Sequence, residues 1–287
     1  MYCTKMIEHL VLSGAGTNGL VQIGLLHYLI DQEKLALTDI KSIYATSAGA
    51  ILSILILIGV HIPEMKEYII HRPWEKFFDV QFHDKGIFPS SHLSDMVKPF
   101  MLAYDIPDTY TLLELYQKSG VDLHIFTTKI NGMECVDLNH TTFPTLTLSE
   151  TIQMTASLPI VFTPVKYNNE YYIDGGFMNN CPLQSIQKHP YHPDSILIID
   201  IAQQCPIYTE ESDMFNYMHI LFLNALDIIC ANTYNKTCKH DYKHYYLIDV
   251  ESMFKSEVWI QFINNIEYRQ QLYDYGYHYL NNTETKN

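Results

Sequence analysis

Positive charge is scarce in this sequence. Its 287 residues carry 18 Lys+Arg against 32 Asp+Glu, a net charge of −14. Nucleic-acid binding needs basic side chains to neutralise phosphates, and purely electrostatic attachment to anionic lipid needs them clustered, so neither is expected. Charge of either sign is sparse as well, at 17% beside 47% hydrophobic residues, which is the reverse of a disordered composition. Long apolar runs are missing: the longest, Ala48–Val60, has thirteen residues, and a membrane span needs about 20. The six cysteines, at 3, 135, 181, 205, 230 and 238, include no CxxC pair, which removes the common zinc and thioredoxin-like patterns. A chain of this length buries roughly three quarters of its surface and needs no disulfide framework. Met1–Gly14 has one lysine and a short apolar stretch and does not read as a signal peptide. The sequons at Asn139, Asn235 and Asn281 are then chance matches. No EF-hand loop suggests calcium. A cytoplasmic enzyme without metal or cofactor is the expectation.

Strand and helix signals alternate along the chain. His9–Ser13, Lys41–Thr46, Leu123–Lys129 and Ser195–Ala202 are short apolar runs of the buried-strand type. Leu20–Glu33, Ala48–Gly59 and a stretch opened by Pro63 and running to about His71 read as helices. Thr147-x-x-Glu150 is a capping box for a helix ending before Pro159. Val165–Asp174 reads as a hairpin turning at Asn168-Asn169, and residues 73–90 as a surface excursion. From Asp213 onward, two long helices flank a strand at Tyr245–Asp249. Apolar strands separated by helices predict an α/β fold: a three-layer sandwich with a central, mostly parallel sheet and helices on both faces. The expected organisation is a core over residues 8–202 and a helical C-terminal extension, 203–287, packed on the same domain.

Three candidate sites lie at strand ends, where α/β folds place their chemistry. Gly14-Ala15-Gly16-Thr17-Asn18-Gly19 joins a strand to a helix. Its small residues suit an anion-binding nest of backbone N–H groups. The same spacing fits a dinucleotide fingerprint, although Asp39 precedes the next strand instead of ending it, and a plain tight turn also fits. Ala45-Thr46-Ser47-Ala48-Gly49 has the small residues of a nucleophile elbow around Ser47; Ser47 as a helix N-cap is the alternative. Asp174-Gly175-Gly176 is either a turn or a strand-end general base.

Taken together and in this order, the three motifs resemble the patatin-like phospholipases over roughly residues 8–202. Their flanks, Thr155-Ala156-Ser157-Leu158-Pro159 and Asn179-Asn180-Cys181-Pro182-Leu183, are similar too. Ala15, Asn18 and Ala45 depart from the family pattern, which commonly has Lys or Arg at the Asn18 position and Gly at the Ala45 position. The resemblance implies a lipid acyl hydrolase of phospholipase A or lysophospholipase type. It assigns Ser47 as nucleophile, Asp174 as general base and Gly14, Ala15 and Gly16 as the oxyanion hole, with Gly19, Gly49, Gly175 and Gly176 as motif glycines. The implied partners are an acyl-lipid substrate and, transiently, a membrane surface. The aromatic-rich stretch Trp74–Phe88 would enter a bilayer interface, cover the site or pack on the core. Competing expectations are a histidine triad through His219, His240 or His244, a metal at Cys238, His240 and His244, a dinucleotide-binding oxidoreductase, and an inactive lipid-binding relative.

Overall fold

The computed structural model describes residues 6–78, 86–203, 207–210, 217, 220, 221, 224, 241–250 and 256–284. The apolar runs become strands because a residue buried on both faces must hand its backbone groups to neighbours in a ladder. The first half runs β1 (His9–Leu12), α1 (Gly19–Asp31), β2 (Ser42–Thr46), α2 (Ala48–Ile58), α3 (Ile62–His71), α4 (Trp74–Phe77), β3 (Gly86–Phe88), α5 (Ser91–Ala103) and α6 (Leu112–Ser119). Then come β4 (Asp122–Lys129), β5 (Glu134–Leu138), α7 (Leu148–Ala156), β6 (Ile160–Phe162), β7 (Val165–Tyr167) and β8 (Glu170–Asp174). The chain continues through α8 (Gly176–Asn179), α9 (Leu183–Ile186), β9 (Ile196–Gln203), β10 (His244–Val250), α10 (Ser256–Asn264), α11 (Ile266–Tyr277) and α12 (Tyr279–Glu284). Thr147 and Glu150 close the expected capping box. Asn168 and Asn169 turn the hairpin at φ 47° and 63°, a conformation asparagine tolerates.

The main sheet has the order β10-β9-β1-β2-β4-β8-β7, with β5 also on β4. From β10 to β4 every pairing is parallel, and β5 and β8 add antiparallel partners. Side chains alternate between two cores: Leu10 and Leu12 enter the larger, Val11 the smaller with Leu183 and Ile186 of α9. This is the three-layer arrangement expected from the sequence.

Strand β4 is eight residues long and serves as a template for two shorter ones. Its residues Asp122–Phe126 pair with β2, ending at Thr46↔Phe126. Its residues Thr127–Lys129 pair with β8, beginning at Thr127↔Asp174. Because β5 occupies the other edge from Ile125 to Lys129, across the junction of the two stretches, β2 and β8 must lie end to end along one edge. β2 is parallel to β4 and β8 antiparallel, so their carboxyl ends meet.

The described elements after 203 close onto this frame. β10 extends the sheet beside β9, and α11 crosses α1 so closely that a Cβ on Gly276 would stand 2.0 Å from the Val21 carbonyl oxygen. Arg269 of α11 is 2% exposed. Its guanidinium donates to the carbonyls of Ile70, Phe262 and Ile263, the last turns of α3 and α10, where unpaired carbonyls and the dipole favour a cation.

Residues 73–78 and 86–90, the described part of the stretch 73–90, depart from the expected surface excursion. Trp74, Phe78 and Phe88 are buried. Phe78 stacks with Trp74 and meets Phe88 and Trp259 edge-on. β3 pairs in parallel with β6 as a separate two-stranded sheet. These aromatics pack inward and are not presented to a bilayer; Phe82 lies outside the described residues.

Candidate active site

Ser47 occupies the one-residue step between β2 and α2 at φ 51° and ψ −121°, a conformation an L-residue with a side chain adopts only under strain of about 1–3 kcal/mol. It makes no side-chain cap to the helix, so the N-cap alternative does not hold. Instead its Oγ donates a hydrogen bond to Asp174 Oδ2 at 2.6 Å. The register of β2 and β8 on β4 accounts for that contact between residues 127 apart in sequence. The turn is held from the other side as well. The Ser47 N–H donates to Thr155 Oγ1 at 3.0 Å, and the Thr155 hydroxyl donates to the Phe126 carbonyl at 2.6 Å. Small neighbours are obligatory here: a Cβ on Gly49 would lie 2.7 Å from the carbonyl oxygens of Leu12 and Ser13.

Asp174 is 4% exposed. Its Oδ1 accepts the Gly176 N–H at 2.7 Å. Burial pushes its carboxyl up to about 6, against the opposing pull of the hydrogen bonds from Ser47 and Gly176. Gly175 lets the chain turn away from β4, since a Cβ there would stand 2.1 Å from the Phe126 carbonyl oxygen. The carboxylate therefore sits in a partly apolar niche with its two oxygens aimed by main chain and by serine, which suits a proton acceptor.

The glycine loop curls over Ser47. Gly16 has φ 53°, and the turn Gly16–Asn18 leads into α1 at Gly19. Of the three expected donors, Gly14 is engaged: its N–H donates to the Asn180 carbonyl at 2.9 Å. Among the described residues, no acceptor takes the N–H of Ala15 or Gly16. The dinucleotide alternative lacks its carboxylate. β2 ends at Thr46 and runs into Ser47, and Asp39 sits in a short 3-10 turn before β2.

Ser47 and Asp174 lie in a pocket whose empty space, counted out into its open mouth, is about 550 Å³. Ile51, Leu93, Met96, Leu158 and Phe162 supply apolar wall, joined by Phe78, Trp259 and Phe262. Two of these come from α10, for which the sequence offered no motif. Their amphipathic spacing marks a buried face but not which cavity it borders. Thr155 was legible as part of a matching flank but not as the acceptor that fixes the elbow.

The histidine alternatives fare differently. His244 opens β10 opposite Leu197 of β9, and through β1 that level corresponds to Ile43 of β2. It is four residues short of Ser47 and three strands away, about 13 Å along and about 14 Å across the sheet. It does not join the site. His219, His240 and Cys238 lie outside the described residues. Among the described residues, no group of three or more His, Cys, Asp or Glu side chains is placed to hold a metal.

The family model for patatin-like phospholipases matches residues 10–186. The chain is 27% identical over 203 residues to the probable lipid hydrolase 463L of invertebrate iridescent virus 6, a match covering 64% of this chain and 65% of that protein. It is 26% identical over 215 residues to the omega-hydroxyceramide transacylase of Mus musculus, covering 71% of this chain and 33% of that one. The chain thus spans less than two thirds of these relatives. Among solved structures, VipD from Legionella pneumophila is similar with a TM-score of 0.62 at 14% identity, covering 94% of this chain and 67% of VipD. The type III effector protein ExoU is similar with a TM-score of 0.50 at 14% identity, covering 96% and 52% respectively. At that identity the likeness is one of fold.

Proposed function

The chain belongs to the patatin-like phospholipase family, and from that premise we propose that it is a lipid acyl hydrolase in which Ser47 and Asp174 form a two-residue catalytic unit. The observation that carries the reading is the 2.6 Å hydrogen bond from Ser47 Oγ to Asp174 Oδ2 beside an apolar pocket. Ser47 Oγ attacks the ester carbonyl carbon while its proton passes to Asp174. The new C–O bond forms as the carbonyl electron pair moves onto oxygen. The N–H groups of Ala15 and Gly16 receive that oxyanion, with the N-terminus of α2 directed at Ser47. Collapse breaks the bond to the alcohol, which leaves with the proton from Asp174. Water repeats the sequence against the acyl-enzyme and releases the carboxylic acid.

Magnitudes decide how the work is divided. A serine hydroxyl is far less acidic than an aspartic acid, and each unit of mismatch costs about 1.4 kcal/mol. Raising Asp174 from 3.8 to about 6 narrows the gap by roughly 3 kcal/mol, and the larger remainder falls to concerted transfer and to oxyanion donors, each worth about 3–4 kcal/mol. The pocket takes the acyl chain. The substrate is an acyl lipid of phospholipase A or lysophospholipase type, met during transient contact with a membrane surface. The segment after 203 acts as part of the same unit, since α10 supplies pocket wall.

Labelling by a fluorophosphonate probe, lost in Ser47→Ala, tests the nucleophile. Mass analysis of products from a phosphatidylcholine with unlike chains at its two glycerol positions then identifies the bond cleaved. A wild-type chain that neither labels nor releases fatty acid sinks the reading. As Asp174 must be ionised to accept the proton, kcat/KM rises with pH through about 6 to a plateau.

A further inference from the structure

We propose that the Thr17 hydroxyl is a third donor to the oxyanion, and so a catalytic residue of this reaction. The inference rests on the hydrolase reading above. Thr17 lines the same pocket as Ser47 and Asp174 and stands in the 3-10 turn directly after the free amides of Ala15 and Gly16. It is 6% exposed, and its Oγ1 is buried with no hydrogen-bond partner among the described residues.

A buried hydroxyl normally finds a partner in its own fold. Asp174 does not take it: the carboxylate accepts from Ser47 and from Gly176, and no hydrogen bond from Thr17 reaches it. Apart from Ser47 and Asp174, no other side chain lining the pocket carries oxygen, and the only polar hydrogen among them belongs to Trp259. A donor left unpaired in the free protein, on the wall of the nucleophile's own pocket, gains a partner when an oxyanion forms there. That is the requirement for a preorganised oxyanion contact. The loop also has a deficit for it to fill, because Gly14 gives its N–H to Asn180. Threonine is a suitable carrier, since its branched Cβ restricts χ1 and limits how far the hydroxyl can swing.

The test uses the full chain with Thr17→Val, which keeps the shape and removes the hydroxyl, and Thr17→Ser, which restores it. Loss of one oxyanion donor typically lowers kcat by roughly 10²–10³-fold. Thr17→Val is expected to lose about 10²-fold in kcat with KM near wild type. It also weakens a fatty-acyl trifluoromethyl ketone, which forms a hemiketal oxyanion on Ser47, by a similar factor, while binding of the matching ether lipid is unchanged. Thr17→Ser recovers most of the rate. The thermal midpoint of Thr17→Val does not fall, because an unpaired buried polar group has been removed. Wild-type kcat in Thr17→Val, or a loss confined to KM, overturns the proposal. If Thr17→Val does not fold, Thr17→Ala decides in the same way: full activity overturns, loss of kcat at a native melting point supports. Wild-type labelling by a fluorophosphonate separates the two levels, since its absence defeats the hydrolase reading itself, whereas labelling with an unaffected Thr17→Val defeats this inference alone.

Discussion

The two ends of the central sheet bury ionisable groups in opposite ways. At the amino end of β4, His124 lies between two carboxylates: its Nδ1 is 2.7 Å from Asp137 and its Nε2 3.3 Å from Asp122. Burial works to lower its pKa, but the two neighbouring carboxylates, Asp122 and Asp137, together outweigh it and carry the imidazole up to about 9. Tyr44 stacks on the ring with centroids 4.5 Å apart. At the carboxyl end, no cation among the described residues lies within ion-pair distance of Asp174, and burial alone drives it toward its protonated form. Paired charge there holds β4, β5 and the neighbouring loop together. Unpaired charge here keeps a base reactive at the cost of stability, the usual mark of a functional position.

The sharpest way to break the comparison is to remove the reactive pair. Ser47→Ala and Asp174→Asn should each lower ester hydrolysis by about 10⁴-fold in a single-turnover assay, without the additivity expected of independent groups in the double variant. The second effect is on stability and runs the other way. With a folded-state pKa near 6 against an ordinary 3.8, Asp174 favours folding only when protonated. That contribution is intact below about pH 4, is lost as pH rises through 6, and amounts to about 3 kcal/mol. Asp174→Asn should therefore unfold at higher urea than wild type at pH 8, and at the same urea at pH 3.5.

Two smaller changes refine the contrast. Thr155→Val removes the acceptor for the Ser47 N–H and leaves the strained turn less firmly held; kcat should fall about 10-fold with KM little altered, as for a mispositioned nucleophile. At the amino end, the raised pKa of His124 makes its stabilising contribution complete below about pH 6.5 and lost as pH climbs through 9. Asp137→Asn should cost roughly 1 kcal/mol at pH 6 and flatten the wild-type decline between pH 7 and 10, measured by urea unfolding, while activity stays near wild type.

Much of this was legible in the sequence. β1, β2, β4 and β9 announced themselves as apolar runs, β8 as one arm of a hairpin turning at Asn168-Asn169, and the glycines around Ser47 and Asp174 announced tight turns. What escaped was set by register and by distance along the chain. Nothing in Asp122–Lys129 says that one strand will carry two partners end to end, because pairing is decided by which carbonyls and amides come level. Trp259 and Phe262 lie far along the chain from the motifs, so their place in the pocket had no local signature. That Trp74 and Phe78 pack on the core was among the expectations, but their partners in β3, β6 and α10 were not, because the stretch around them, with its Pro and Gly, looked like a loop.

The end-to-end seating of β2 and β8 on a single strand frees much of the intervening chain from the task of bringing nucleophile and base together. The polypeptide between positions 47 and 174 leaves the sheet, lays down β4 and β5 in it and leaves again before β8, and the rung at which β8 joins β4 fixes where the carboxylate lands. Insertions, deletions or wholesale exchange in the wandering part, such as the helices Ser91–Ala103 and Leu112–Ser119, could remodel the chamber for a different acyl group while the nucleophile and its base stay in register.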